Sequence, residues 1–421
     1  MSDPALDAAG TSLPLSPPPH TSQSAAARAR GDARAASAGK EHVIDVMRGI
    51  AALLVAYFHC RQVVWVGMQA FHQNVGHSFS PGALAAYLTF PIAWGSAGVP
   101  IFFVISGYCI HRGGALRLVG NPAYRLDVGN FWLRRFTRIY PVLLAALVLT
   151  FALDSLSLQL PPVSHKIREI GLHAFLVNLF SLQGVAGKTY GSNGALWTLS
   201  LEVQFYAIYP LLFALRRRIG MNAVLAIVAA INIVSAYLLE RHDIQFFTSY
   251  WLSWTLGAWI ADAKARGTAG ARAPAWLYVL AAAFIVGGCV AFHFGQYGAF
   301  QLWALGFACY LHKALDPRDG ARHTPRGLRA LSETVSRALS RVLSRCGDFS
   351  FSLYLIHLPI FVLLSSWLFR SSLQMSIWPS FGYMLVAVPA AYVFYRLVEL
   401  PAMKWSASFK SGPARTVRNL R

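Results

Sequence analysis

Ten apolar runs, each about as long as a bilayer is thick, account for most of this 421-residue chain. They fall at 44–66, 94–112, 139–157, 197–215, 220–239, 246–262, 275–294, 296–313, 349–369 and 380–403. A helix needs about 20 mostly apolar residues to cross the hydrocarbon core. No water is available there for backbone N–H and C=O groups, so a spanning segment must close its hydrogen bonds within itself. Only 13% of the residues are charged, about half the share in an ordinary soluble domain (~25%). The expected fold class is all-α: a polytopic membrane helix bundle with about ten transmembrane helices.

Charge orients the bundle. The formal net charge is +20, and its distribution follows the bias of Lys and Arg toward cytoplasmic loops, with no call for nucleic acid. Arg117, Arg125, Arg134, Arg135 and Arg138 follow the second run, Arg216, Arg217 and Arg218 close the fourth, and Lys264, Arg266 and Arg272 follow the sixth. Seven arginines lie in 314–348, and Lys404, Lys410, Arg415, Arg418 and Arg421 follow the last run. All fall on one side if the N-terminus is cytoplasmic, and both termini are then cytoplasmic. Residues 170–183 are apolar but short. A crossing there would move Arg216–Arg218 outside, so the segment is expected to be re-entrant or interfacial on the outer side. Residues 1–40, rich in Ala, Pro, Ser and Arg with no apolar signal-peptide core, are read as a disordered cytoplasmic tail. Residues 41–405 are read as the transmembrane domain and 406–421 as a basic cytoplasmic tail. The stretch 314–348 is expected to form a basic cytoplasmic helix. Cys60, Cys109, Cys289, Cys309 and Cys346 match no zinc or disulfide spacing and read as small buried hydrophobes, and no metal site is expected.

Ionisable groups at membrane depth are costly and face protein interiors or wet cavities. Arg48 and His59 share one face of the first run, eleven residues or about three turns apart and roughly 16 Å along the axis. Asp45 is placed to pair with Arg48. Alone, that pair suits a structural interface contact as well as a site, and His59 suits a satisfied buried histidine as well as a catalytic one. Ser106-Gly107 in the second run suits close packing or a kink. Arg135 and Arg138, on one face, suit either the cytoplasmic interface or the binding of phosphates, which guanidinium forks match bidentately. Glu202 is an acid inside an apolar run with Tyr206 one turn on; it needs a partner, and its depth allows contact with His59. Ser350 and His357 sit near one face of the ninth run, and Arg396 can pair with Glu399 at the inner end of the tenth. Trp65, Phe71, Trp94 and Tyr190 read as an interfacial aromatic belt more readily than as platforms for sugar rings.

The motifs IDVMRGIAALLVAYFH, FFVISGYCI, RRFTRIYP, LWTLSLEVQFY, FSLYLIHLP and VELP occur in this order over residues 42 to 403. Together they resemble the acyltransferase-3 family of bacterial integral-membrane O-acyltransferases. The resemblance implies transfer of an acyl group, by default acetyl, from cytoplasmic acyl-CoA to a hydroxyl of a carbohydrate such as a cell-surface polysaccharide or exopolysaccharide. It implies a multi-pass protein of the bacterial inner membrane whose partners are the acyl-CoA donor, a carbohydrate acceptor and the lipid bilayer. It also implies that Arg48 and His59 belong to the active site and that Arg135 and Arg138 engage the donor. The family often has two adjacent acids before Gln-Phe-Tyr; here Glu202 is followed by Val203. Some members carry an extra hydrolase-like domain outside the membrane, and none is expected in these 421 residues. In the mechanism that follows, His59 is the general base or a transient acyl carrier, and Glu202 orients it as the acid does in a triad. Ser106, Tyr206, Ser350 and His357 are further candidates for substrate or oxyanion contacts, with His357 also a rival to His59 as base. A membrane transporter of a sugar or lipid-linked glycan is the alternative, because midplane charges and interrupted helices also serve transport.

Overall fold

The computed structural model describes residues 42–75, 79–239, 242, 244–267, 273–316 and 335–409. The tails at 1–40 and beyond 409, Arg272 and most of the basic loop before residue 335 lie outside the described residues, so the reading of those tails is not addressed. Within the described residues the chain is all-helical, and its only strand-like features are two isolated bridges, Trp65–Gln374 and Gln183–Gly187.

Each of the ten apolar runs coincides with helix. Helix α1 covers His42–Val64. Two short helices, α2 (Met68–Val75) and α3 (Pro81–Leu88), and a 3-10 segment lead into α4 (Gly98–Gly120). Then come α5 (Val128–Leu158), α6 (Leu172–Leu179), α7 (Leu196–Ile219), α8 (Met221–Leu239) and α9 (Trp251–Ala265). The chain continues through α10 (Trp276–Ala291), α11 (Gln296–Ala314), α12 (Arg329–Asp348), α13 (Ser350–Phe369) and α14 (Trp378–Phe394). A π-helical turn, Tyr395–Glu399, joins α14 to α15 (Leu400–Ser408).

Seven helical segments among the described residues are long and apolar enough to span, fewer than the ten runs suggest. Helices α9 and α10 have 15 and 16 residues, or about 23–24 Å at 1.5 Å per residue, short of a ~30 Å hydrocarbon core. Helix α11 is long enough but carries Gln296, Gln301, His312 and Lys313. Helix α6, inside the 170–183 segment, has eight residues and is far too short to span. The basic stretch before residue 349 is helical as expected, as α12.

Small residues let these helices meet closely, because a membrane bundle gains from packing what it cannot gain from expelling water. Helices α4 and α9 pack along each other and cross at Gly107 and Gly257. A Cβ at Gly107 would strike the Trp254 carbonyl, and one at Gly257 the Val104 carbonyl. This is the close packing that Ser106-Gly107 suggested. At the C-terminal end of α9, fully buried Asp262 gathers Arg216 (Nε–Oδ1 2.7 Å), Arg266 (Nη2–Oδ2 2.5 Å) and His111 (Nε2–Oδ1 3.5 Å). The connection from α6 to α7 is folded down onto the bundle. Asp154 of α5 accepts from the backbone N–H and the hydroxyl of Ser192 at 2.7 and 2.6 Å. Asn193 Nδ2 donates to Leu355 O of α13 at 2.8 Å and to Thr150 Oγ1 at 3.1 Å.

The four aromatics read as a belt are mostly packed inside. Trp65, Phe71 and Tyr190 are 3%, 4% and 1% exposed. Trp65 donates to Met375 O, Trp94 to Cys289 O and Tyr190 to Ile170 O. They pin connections to helices, which their sequence positions did not reveal.

Candidate active site

A cavity of about 290 Å³ opens among α1, α4, α5, α7, α13 and the α14–α15 junction. Seven of the nine residues singled out from the sequence line it: Arg48, Ser106, Arg135, Arg138, Glu202, Tyr206 and Ser350. They come from helices far apart in sequence, and each is placed by a local constraint.

Arg48 stands about two turns into the described part of α1. Its guanidinium donates to Asp45 Oδ1 at 3.3 Å, the pairing expected at i,i+3, and to Cys109 Sγ of α4 at 3.4 Å. Arg135 lies against the rings of Phe131 and Tyr206, with its guanidinium carbon 5.7 and 6.0 Å from their centroids. Its Nε is buried without a hydrogen-bond partner. No protein group accepts from it, so its acceptor has to come from outside the chain, as water or ligand. Arg138 follows one turn later on the same wall.

Glu202 accepts from Tyr206 Oη and, at 3.3 Å, from Ser106 Oγ; Ser106 in turn accepts from Trp254 Nε1 at 3.2 Å. These partners meet the carboxylate's need for contact at depth and tie it to the arginine-lined cavity. The expected Glu202–His59 contact does not form, because Ser106 of α4 and Tyr206 of its own helix hold the carboxylate. Ser350 donates to Gly347 O at 2.8 Å. Glu399 departs from expectation too. It is 2% exposed and accepts from Ser352 N–H at 3.2 Å and Ser352 Oγ at 2.5 Å. The π-helical turn ends at this residue; such a turn carries one more residue than an α-turn, and Glu399 ends up inside, lining the cavity, instead of paired with Arg396 at the interface.

His59 and His357 stand apart from this cavity and face each other. His59 Nδ1 lies 2.9 Å from His357 Nε2, with ring centroids 5.1 Å apart and planes 8° from parallel. His357 Nδ1 lies 2.9 Å from Leu353 O one turn back along α13. A carbonyl can only accept, so His357 Nδ1 carries a proton. With both rings neutral, His357 Nε2 is then an acceptor, and His59 Nδ1 must donate to it. The network thereby assigns a bare Nε2 lone pair to His59. Between the pair and the cavity stands Tyr354. Its hydroxyl accepts from Thr198 Oγ1 at 2.7 Å, and its ring lies 5.7 Å from Phe102 and 5.9 Å from His357. Thr198, Phe102 and Tyr354 all line the cavity and form its end wall. Contacts across such separations, 298 residues for the histidine pair, leave no local sequence signal. The buried acids Asp154 and Asp262 did carry one, as lone carboxylates inside or at the end of apolar runs.

Among the described residues, no cluster of three or more His, Cys, Asp or Glu side chains is arranged to hold a metal ion.

A family model described as "Acyltransferase domain", the acyltransferase-3 model, matches residues 41–396. The peptidoglycan O-acetyltransferase OatA of Listeria monocytogenes is 29% identical over 167 residues, 36% of this chain and 26% of that protein. The acyltransferase MdmB of Streptomyces mycarofaciens is 30% identical over 128 residues, 30% of this chain and 31% of that protein. The O-acetyl transferase of Shigella phage Sf6 is 26% identical over 220 residues, 51% of this chain and 58% of that protein. The chain thus aligns with well under two thirds of each of these relatives. No solved structure matches it.

Proposed function

This chain belongs to the acyltransferase-3 family, and from that premise we propose that it moves an acyl group, acetyl by default, from cytoplasmic acyl-CoA to a carbohydrate hydroxyl. It is a multi-pass membrane acyltransferase; the donor, acceptor and sidedness are the content of the proposal. The observation that carries the reading is Arg135, a half-buried cation whose Nε is buried without a protein partner, lining one cavity with Arg48 and Arg138. Phosphates, like carboxylates, are acceptors that guanidinium forks match bidentately. The cavity is near the lower edge of ligand pockets, about 300 Å³. It suits the thin pantetheine arm, with the nucleotide left at the basic mouth. We read that mouth and both termini as cytoplasmic, a reading the basic connections support through the positive-inside rule, and the membrane as the bacterial inner one.

In the chemical step, His59 Nε2 takes the proton of the acceptor hydroxyl as its oxygen attacks the thioester carbonyl. The carbon–sulfur bond then breaks, and the leaving thiolate recovers a proton from the His59 imidazolium. His357, held by Leu353 O, keeps the His59 ring in the tautomer this requires. The thioester reaches His59 past Tyr354, so the end wall has to yield when the donor is seated. Glu202 holds Tyr206 and Ser106 at the inner side of that wall. The relatives named for O-acetylation support a hydroxyl acceptor, and the family assignment favours transfer over transport.

Mass spectrometry of surface glycans from cells making the wild-type chain or His59→Ala tests this. The wild type adds one acyl mass to a glycan hydroxyl and the variant does not. Identical acylation with both proteins contradicts the assignment.

A further inference from the structure

Helix α12 presents two separate stripes. Val335, Leu339 and Val342 are 59%, 56% and 58% exposed. At 100° per residue they fall within about 60° of arc. Arg337, Arg341 and Arg345, all exposed, occupy a second stripe centred about 130° away. Three large apolar side chains in line on one face, with arginines on the polar face behind them, make the pattern of a helix that lies in a membrane surface.

Its place in the chain puts the membrane within reach. Helix α13, one of the segments long and apolar enough to span, begins at Ser350, two residues after α12 ends. The last turns of α12 are clamped onto α1. A Cβ at Gly347 would strike the Asp45 carbonyl, and one at Gly49 the Leu343 carbonyl. Gly347 and Asp348 also line the cavity that holds Arg48.

We propose that α12 docks its Val335–Leu339–Val342 stripe into the headgroup boundary of an anionic bilayer leaflet, with its arginines on the lipid phosphates, and that this docking holds the cavity mouth in shape. The charge complementarity selects anionic lipid, and the clamp at Gly49 and Gly347 carries the effect to the cavity. The second half rests on the cavity being the donor site; the docking itself does not.

Hydrogen exchange of the full-length protein in nanodiscs tests the docking. Peptides across 335–345 exchange more slowly when phosphatidylglycerol is added to phosphatidylcholine. Arg341→Gln and Arg345→Gln each remove about fivefold of that protection, the share of one basic residue near an anionic surface. Leu339→Ser removes it in both lipids. His59→Ala keeps it in full, so a failed acyltransferase reading and failed docking are told apart. Protection that is equal in both lipids and indifferent to the arginines means protein covers the stripe, and overturns the proposal. In parallel, KM for acyl-CoA rises in phosphatidylcholine alone; a KM independent of lipid overturns the link to the cavity.

Discussion

At the scale of single residues, the proposed chemistry turns on which ring nitrogen of His59 carries a proton. The chain from Leu353 O through His357 to His59 leaves Nε2 bare. A base positioned in this way contributes about 10²–10⁴-fold, so His59→Ala should lower kcat by that factor in a protein that still folds. His357 acts through His59, and its replacement separates position from bulk. Leu at 357 cannot accept from His59 Nδ1, and activity should fall about 10–100-fold, the cost of losing a partner that orients a reactive group. Gln at 357 offers both an acceptor and a donor and should restore most of the loss. Equal activities of the Leu and Gln variants would remove His357 from the mechanism. On the other side of the end wall, Arg135→Ala should raise KM for acyl-CoA about tenfold, equivalent to ~1.4 kcal/mol, with kcat little changed; titration of initial rates against donor concentration reads both. Much of the cavity was legible beforehand. Arg48, Glu202 and Arg135 are costly groups in apolar runs, and cost flags them wherever the chain goes. What each touches was not legible. Glu202 was assigned to His59 on depth alone, and depth does not say which neighbouring helix faces it; Ser106 of α4 does.

At the scale of elements, the helices were foreseen and their junctions were not. A 20-residue apolar run must be helical in a bilayer, so the runs and the helices coincide. The π-helical turn at Tyr395–Glu399 has no comparable signature, and it decides that Glu399 faces Ser352. The crossing of α4 and α9 was half legible, since Gly107 announced a close approach without naming Gly257 as its partner. Gly107→Ala should destabilise the bundle by about 1–3 kcal/mol, the usual cost of overpacking, because the new methyl meets backbone that cannot rotate away. A fall in detergent melting temperature checks it, and an unchanged melting point would mean that the two helices separate at little cost. Asp154→Ala should act elsewhere. It frees Ser192 from both of its bonds and leaves buried donors unmet, at about 1–3 kcal/mol each. Faster proteolysis within residues 180–195, with the rest of the chain intact, is the expected sign.

At the scale of the whole molecule, the parts line up along one direction. Arg48, Arg135 and Arg138 line a cavity whose mouth we propose to be cytoplasmic, Tyr354, Phe102 and Thr198 close it, and a histidine pair lies behind them. Family membership makes the molecule an acyltransferase; in the proposed mechanism this order of parts allots donor binding and proton transfer to different residues. The most direct test is the release of CoA thiol from acetyl-CoA by membranes that contain the wild-type, Arg135→Ala or His59→Ala protein together with their native glycans. The account predicts that raising acetyl-CoA brings Arg135→Ala back to near the wild-type rate, while His59→Ala stays at least about 10²-fold slower at every donor concentration. Full turnover by His59→Ala, or a rate for Arg135→Ala that no amount of donor recovers, would contradict it.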